Sequence, residues 1–404
     1  MTAPAVPMQV ALAPPQLRKP ASAVKPLAPP LLDPRGARII LGGQCAAAQA
    51  AAPIRAAADT LFGPRGACLA APDGPLLVCD TGHHRLLIWN RAPGADNAAA
   101  DCVIGQPDFG HEGRNAKGDI DAATLNVPTG IAVGCGVLAV ADAWNHRVLL
   151  WHRIPDGSHR RADVVLGQGD FASGLANRGG SEARADTLHW CYGVAIHDGR
   201  LIVADTGNRR VLVWDEIPTR NGTPADLVLG QIDFTTRDEG AGQGATAVGM
   251  RWPHAIAVTC GRLLIADAGT NRVMVWNTLP GRHGAPCDAV LGQSDAAGSD
   301  HNRAAYDPAA ATMNMPYGIA LLADRIAVAD TANSRLLGFD ADRLETNAAA
   351  VALTGQRTFD EKGDNRWNSA TRDSVCWPYA VAACDSTLVV ADSGNNRVLL
   401  WEAA

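Results

Sequence analysis

The sequence predicts an all-β protein: a six-bladed β-propeller of four-stranded blades, closed by an N-terminal strand that completes the last blade. Three observations carry that expectation. An Asp followed five residues later by Arg recurs six times, at Asp80, Asp142, Asp205, Asp267, Asp330 and Asp392, in steps of 62, 63, 62, 63 and 62 residues. So regular a period marks a repeat architecture. Each repeat carries four short runs rich in Val, Ile, Leu or aromatic residues, broken by Gly, Asn, Asp or Pro, with no sustained helical period between them. The last repeat stops at "VLLWEAA", one strand short, and the missing strand stands at the other end as "ARIILGGQ".

Along the chain, residues 1–36 are expected to form a Pro/Ala-rich disordered arm and residues 37–404 the propeller. Prolines interrupt every apolar run of the arm, which argues against a secretory signal or membrane span and for extended, polyproline-like chain. Gln44 precedes Pro64 by 20 residues, close to the 22 between Gln106 and Pro128, so the N-terminal strand occupies the slot of a fourth strand beside Val398–Trp401. That pairing removes the exposed edges of an open sheet. Repeat three shows the strand set: "YGVAI", "RLIVAD", "RVLVW" and "ADLVLG". A second beat places Gln106, Gln168, Gln231, Gln293 and Gln356 after the fourth strands.

Composition narrows the class. Of 404 residues, 47% are hydrophobic and 19% charged, enough for a packed core. The net charge of −6 favours neither nucleic acid nor an anionic membrane. None of the ten cysteines forms a CxxC pair, which reads as reduced, mostly buried thiols in a cytoplasmic protein.

The stretch "PTGIAVGCGVLAVADAWNHRVLLW" (128–151) resembles an NHL repeat, and the resemblance covers about residues 37 to 404. It implies the six-bladed NHL propeller, a module found in protein-binding scaffolds, RNA-binding modules, sensor domains and a metal-dependent lyase class. The amidating-lyase branch binds its metal through histidines near the axis. Here only His189 and His254 fall at such positions, and blades five and six offer none.

The repeated Asp/Arg pair and the aromatic that ends each third strand are read as frame, since a catalytic site is rarely built six times around a ring. Function is expected where the copies differ. The residues flanking the middle of "FGPRG", "NVPTG", "HWCYG", "RWPHA", "NMPYG" and "CWPYA" should ring the upper mouth of the central channel. Arg65, Trp190, Tyr192, Trp252, His254, Tyr317, Trp377 and Tyr379, with Arg251 from the next outward position, are therefore the candidate ligand-binding residues: apolar walls with polar tips. No sequence signature of a cofactor is present. A divalent metal is the one cofactor suggested, with His189, His254 and Cys376 as its ligands. His83, His84 and His146 occupy turn positions expected to be solvated. Cys135, Cys260 and Cys384 are expected on the opposite, bottom face.

The six long top segments carry 11 Lys/Arg against 18 Asp/Glu, which argues against nucleic acid. No phosphate loop, nucleophile elbow, HExxH or EF-hand sequence appears. The expected function is a binding or scaffold propeller that engages a protein or small ligand through its top face and axial mouth, as a monomer and without membrane attachment. The second reading is a metal-dependent, lyase-like enzyme or metal-handling accessory protein using the same mouth. Enzymatic activity is the lesser expectation.

Overall fold

A computed structural model describes residues 26–42 and 54–404. The described chain enters on β1 (Ile39–Gly42). Blade one is β2 (Gly66–Leu69), β3 (Leu76–Asp80), β4 (Arg85–Trp89) and β5 (Cys102–Ile104). Blade two is β6 (Pro128–Gly134), β7 (Val137–Asp142), β8 (Arg147–Trp151) and β9 (Val164–Leu166). Blade three is β10 (Cys191–His197), β11 (Arg200–Asp205), β12 (Arg210–Trp214) and β13 (Leu227–Leu229). Blade four is β14 (Pro253–Thr259), β15 (Arg262–Asp267), β16 (Arg272–Trp276) and β17 (Ala289–Leu291). Blade five is β18 (Pro316–Leu322), β19 (Arg325–Asp330), β20 (Arg335–Asp340) and β21 (Ala352–Thr354). Blade six is β22 (Pro378–Cys384), β23 (Thr387–Asp392) and β24 (Arg397–Glu402), completed by β1.

β1 pairs antiparallel with β24, from Ile39 opposite Leu400 to Gly42 opposite Arg397. The ring closes as the period requires. Ile39 and Leu41 then pack with Leu61, Val78 and Leu87 of blade one, so the closing strand also fills an inter-blade seam. Gln44, the expected end of this strand, lies outside the described residues.

The apolar core is divided among the seams between neighbouring blades. Trp89, Trp151, Trp214, Trp276 and Trp401 end third strands and are at most 3% exposed. Each indole still places its N–H: Trp214 Nε1 donates to the Thr223 carbonyl at 3.0 Å and Trp401 Nε1 to the Asp33 carbonyl at 2.9 Å.

The last of these bonds reaches a stretch of chain before β1. Residues 26–36 lie on blades five and six. Leu31 and Leu32 are buried beside Leu399 and Trp401, and the Leu31 amide donates to the Leu353 carbonyl at 3.2 Å. Two adjacent leucines and a site for an indole N–H outweigh the local proline bias. The rest of the expected arm falls outside the described residues.

One buried hydrogen-bond network repeats around the ring. In blade three, Asp205 Oδ1 accepts the His189 amide at 2.7 Å, while Oδ2 accepts Arg210 Nε and Asn208 Nδ2, each at 2.7 Å. Arg210 Nη2 donates to the Arg184 and Thr187 carbonyls at 2.8 and 3.0 Å, and Nη1 reaches the Phe234 carbonyl at 2.5 Å. The pair thereby ties the segment before its own blade to the segment after it. The repeated Gln acts in the same way. Gln168 Nε2 donates to the His146 and Leu175 carbonyls at 3.0 and 2.9 Å.

Asp205→Ala strands a fully buried guanidinium and the His189 amide, so it is expected to cost about 3–5 kcal/mol in urea unfolding. A loss below about 1 kcal/mol would contradict the structural role of the pair.

Candidate functional site

Each blade enters its first strand through the P-x-G step. The third residue of that step must be small where first strands crowd the axis. A Cβ on Gly193 would meet the His254 carbonyl oxygen at 1.9 Å. In blades two to six the pairing of the first strand shifts register across this step. Such a bulge re-aims a side chain out of the strand's alternation. The re-aimed residues are Thr129, Tyr192, His254, Tyr317 and Tyr379, joined by Arg65 from blade one.

These side chains stack in ring order. Tyr192 and His254 have centroids 4.8 Å apart, His254 and Tyr317 stack at 4.4 Å, and Tyr317 and Tyr379 lie at 4.5 Å. The Arg65 guanidinium covers the Tyr379 ring at 5.0 Å. Thr129 Oγ1 donates to the Tyr192 carbonyl at 2.8 Å. The stack partitions the axis. Above it opens a cavity of about 900 Å³; below it lies a second space of about 460 Å³ lined largely by Gly, Ala, Val and Ile.

The upper cavity is walled by Trp190, Trp252 and Trp377, all nearly half exposed, and by Trp144. Arg209, Arg237 and His189 join them on the blade-three side. Among the described residues no Asp or Glu lines the cavity, although the surrounding segments are acidic. The mouth is a local cationic and aromatic patch in an acidic face.

Eight of the nine expected ligand-binding residues line this cavity: Arg65, Trp190, Tyr192, Trp252, His254, Tyr317, Trp377 and Tyr379. Arg251 does not. Its Nε pairs with Glu239 Oε1 at 3.0 Å and its guanidinium covers Trp252 at 5.3 Å. The three expected metal ligands do not converge, and no group of three His, Cys, Asp or Glu suited to a metal occurs among the described residues. His189 lines the mouth. His254 belongs to the stack, with Nδ1 at 3.0 Å from the Trp252 carbonyl. Cys376 packs over Gly394, outside the cavity lining, and burial, followed by Asp364, pushes its thiol up to about 12.

The turn histidines, expected to be solvated, are held by hydrogen bonds, with His83 buried and His84 and His146 half-buried. His83 is fully buried, with Nδ1 at 2.8 Å from Asp80 Oδ2. His84 Nδ1 accepts the Val127 amide at 3.1 Å and His146 Nδ1 the Trp190 amide at 3.0 Å. Asn271, Ser334 and Asn396 accept the equivalent amides of Met315, Trp377 and Gly63. In all five cases the accepted residue is left-handed, with φ between 49° and 56°.

The sixth junction is different and was missed in the sequence. Arg209 stands at this turn position, and a guanidinium cannot accept a hydrogen bond. Trp252 accordingly leaves the left-handed region, and its amide turns to Asp267 Oδ1 at 3.0 Å. Arg209 Nη1 donates to the Arg237 carbonyl at 3.0 Å, and its Nε is buried without a partner. Trp144 was missed for a related reason. Blades one, three, four and six hold Gly at its turn position, where a Cβ would strike Phe62, His189, Arg251 or Cys376; in blade two the facing residue is Asn126 and a large side chain fits.

The fold and mouth define the class: a six-bladed β-propeller with an open axial cavity. No family model matches the sequence, and no curated protein matches it. The structure is similar to Kuenenia stuttgartiensis hydrazine synthase, with TM-score 0.50 and 14% identity, covering 85% of this chain and 96% of that one. It is also similar to a structural genomics protein of unknown function from Bacteroides thetaiotaomicron, with TM-score 0.50 and 13% identity, covering 86% and 71% of the two chains. At these identities the likeness is one of fold. No helix among the described residues is long and apolar enough to cross a membrane.

Burial holds the His254 and His146 imidazoles down at about 4 from an ordinary 6.5. Folded protein therefore refuses protons that the unfolded chain takes up between pH 6.5 and about 4. Stability should fall as pH drops through that window, by roughly 2–3 kcal/mol for the fully buried ring. Urea unfolding of the His254→Gln variant should show a flatter acid limb; an unchanged slope would contradict the burial assignment.

Proposed function

We propose that this chain is a non-enzymatic, NHL-type binding propeller whose axial mouth takes a small ligand. One observation carries the reading: an open cavity of about 900 Å³ walled by four tryptophans on a floor of stacked Tyr and His side chains. The volume lies in the range of small-molecule pockets, and the mix of apolar wall and few polar tips is typical of them. Buried hydrogen bonds tie the frame beneath from blade to blade, which leaves the mouth little to reorganise on binding. The lining offers cations and indoles rather than a pair of acid and base groups, which favours binding over catalysis. A cytoplasmic monomer fits the free, unpaired cysteines among the described residues. The acidic loops around the mouth leave room for a protein partner that reads the loaded state.

The test is intrinsic fluorescence during a small-molecule screen. Ligands in the mouth should quench or shift Trp190, Trp252 and Trp377, and a W190F/W252F/W377F variant should lose most of that response while unfolding at the same urea midpoint. A response unchanged in the variant would place binding elsewhere and remove the reading.

A further inference from the structure

The chemistry of the mouth narrows the ligand. Resting on the reading above, we infer that the mouth binds an organic carboxylate: a planar, apolar or aromatic body among the tryptophans, with its charged group held by Arg209 and Arg237.

Several arginines of the long segments and blade entries are neutralised by carboxylates. Arg178 pairs with Asp186 at 2.5 Å, Arg251 with Glu239 at 3.0 Å, Arg366 with Asp373 at 2.9 Å and Arg372 with Asp96 at 2.7 Å. In an acidic surface that is the expected outcome. Arg209 and Arg237 are not neutralised in this way, and unlike Arg114, Arg303 and Arg357, which also lack such a pair among the described residues, they face the axial space. Neither has a carboxylate partner among the described residues, and both line the cavity. Arg209 donates Nη1 to the Arg237 backbone carbonyl, which anchors it at this edge of the cavity, and its Nε has no protein acceptor. Arg65 adds a third cation on the opposite side of the mouth, held over Tyr379 by its ring face rather than by a carboxylate.

The surrounding groups fit the same end. The position of Arg209 holds an amide acceptor in every other blade, and Trp252 gives up its left-handed backbone to accommodate the change. A hydrogen-bonding junction of the ring has been exchanged for a cation facing a cavity. His189 stacks on Trp190 at 4.8 Å. Burial, with Arg237 and Arg209 adding to it against the pull of Asp205, holds the His189 imidazole below its ordinary value. That leaves the guanidinium groups as the charge a ligand meets. Guanidinium forks match carboxylates bidentately, and such charge-assisted bonds are about twice as strong as neutral ones. Indole walls favour a flat apolar body.

The experiment compares two probes with one body, 1-naphthoate and its neutral amide 1-naphthamide, by titration against the full chain. Naphthoate should bind at least about tenfold more tightly than the amide. The R209S/R237A variant should lose that preference; serine is chosen because Ser334 fills the same turn position in blade five. Arg251→Ala, which lies outside the cavity lining, should keep it. Equal binding of both probes would overturn the carboxylate assignment and leave the mouth as a ligand site. Failure of both probes to bind at millimolar concentration would overturn both. A tighter 1-naphthyl phosphate with weak naphthoate would overturn the carboxylate class in favour of a phosphate ester.

Discussion

Everything in the molecule hangs on a buried Asp–Arg contact, made at about 2.7 Å in five blades and at 3.3 Å in blade four. The pair is not a simple source of stability. Burial lifts the Asp142 and Asp392 carboxyls above their ordinary range even with a guanidinium at 2.7 Å, so dehydration outweighs the attraction. What the pair supplies is geometry. The Arg gathers carbonyls from two top segments, and the Asp fixes the amide two residues before the Pro. The position of every residue at the mouth follows from those bonds.

The frame leaves a limited set of places to vary. A residue after the Pro is re-aimed by the bulge toward the axis, so its identity decides whether the channel is open or partitioned. Four aromatic or His residues in sequence give a stack, which Arg65 extends over Tyr379 and Thr129 interrupts. The fourth turn residue faces the next blade. Where it accepts an amide it is structural, and where it is Arg209 it becomes part of the cavity. Blade four is irregular at the same junction: Thr270, at the position of Asn208 and Asn333, donates Oγ1 to the Asp267 carboxylate, and Arg272 is left with a long 3.3 Å contact and an unpartnered Nε. Irregularity in the frame and cationic character in the mouth meet at the same junction.

Much of this was legible in the sequence because it repeats. The six Asp positions, the aromatic ends and the borrowed fourth strand follow from period alone, and eight mouth residues follow from one aligned column on each side of the Pro. Arg251 was misplaced because its direction is set by Glu239 on a long segment with no periodic signal. Arg209 and Trp144 were missed because their turn looked ordinary in letters. Only the hydrogen bonds show that the fourth turn position is an acceptor in five blades, and only the steric facing of Gly and the pre-Pro residue shows why a Trp is admitted in one. His189, His254 and Cys376 could not be separated by spacing, since side chains one residue apart in the column lie at different distances from the axis.

The central claim is that repeated residues build the ring and departing residues build the site. The most direct test is equilibrium unfolding of the H189N/W190M/R209S variant, which gives blade three and its junction the residues that Asn314, Met315 and Ser334 provide for blade five. Met315 and Trp190 already share a left-handed backbone, at φ 54° and 49°. The account predicts a stability within about 1 kcal/mol of the parent, as for changes away from the frame. A loss of about 3–5 kcal/mol, the size expected for breaking a buried ion pair, would contradict it and return these residues to the frame.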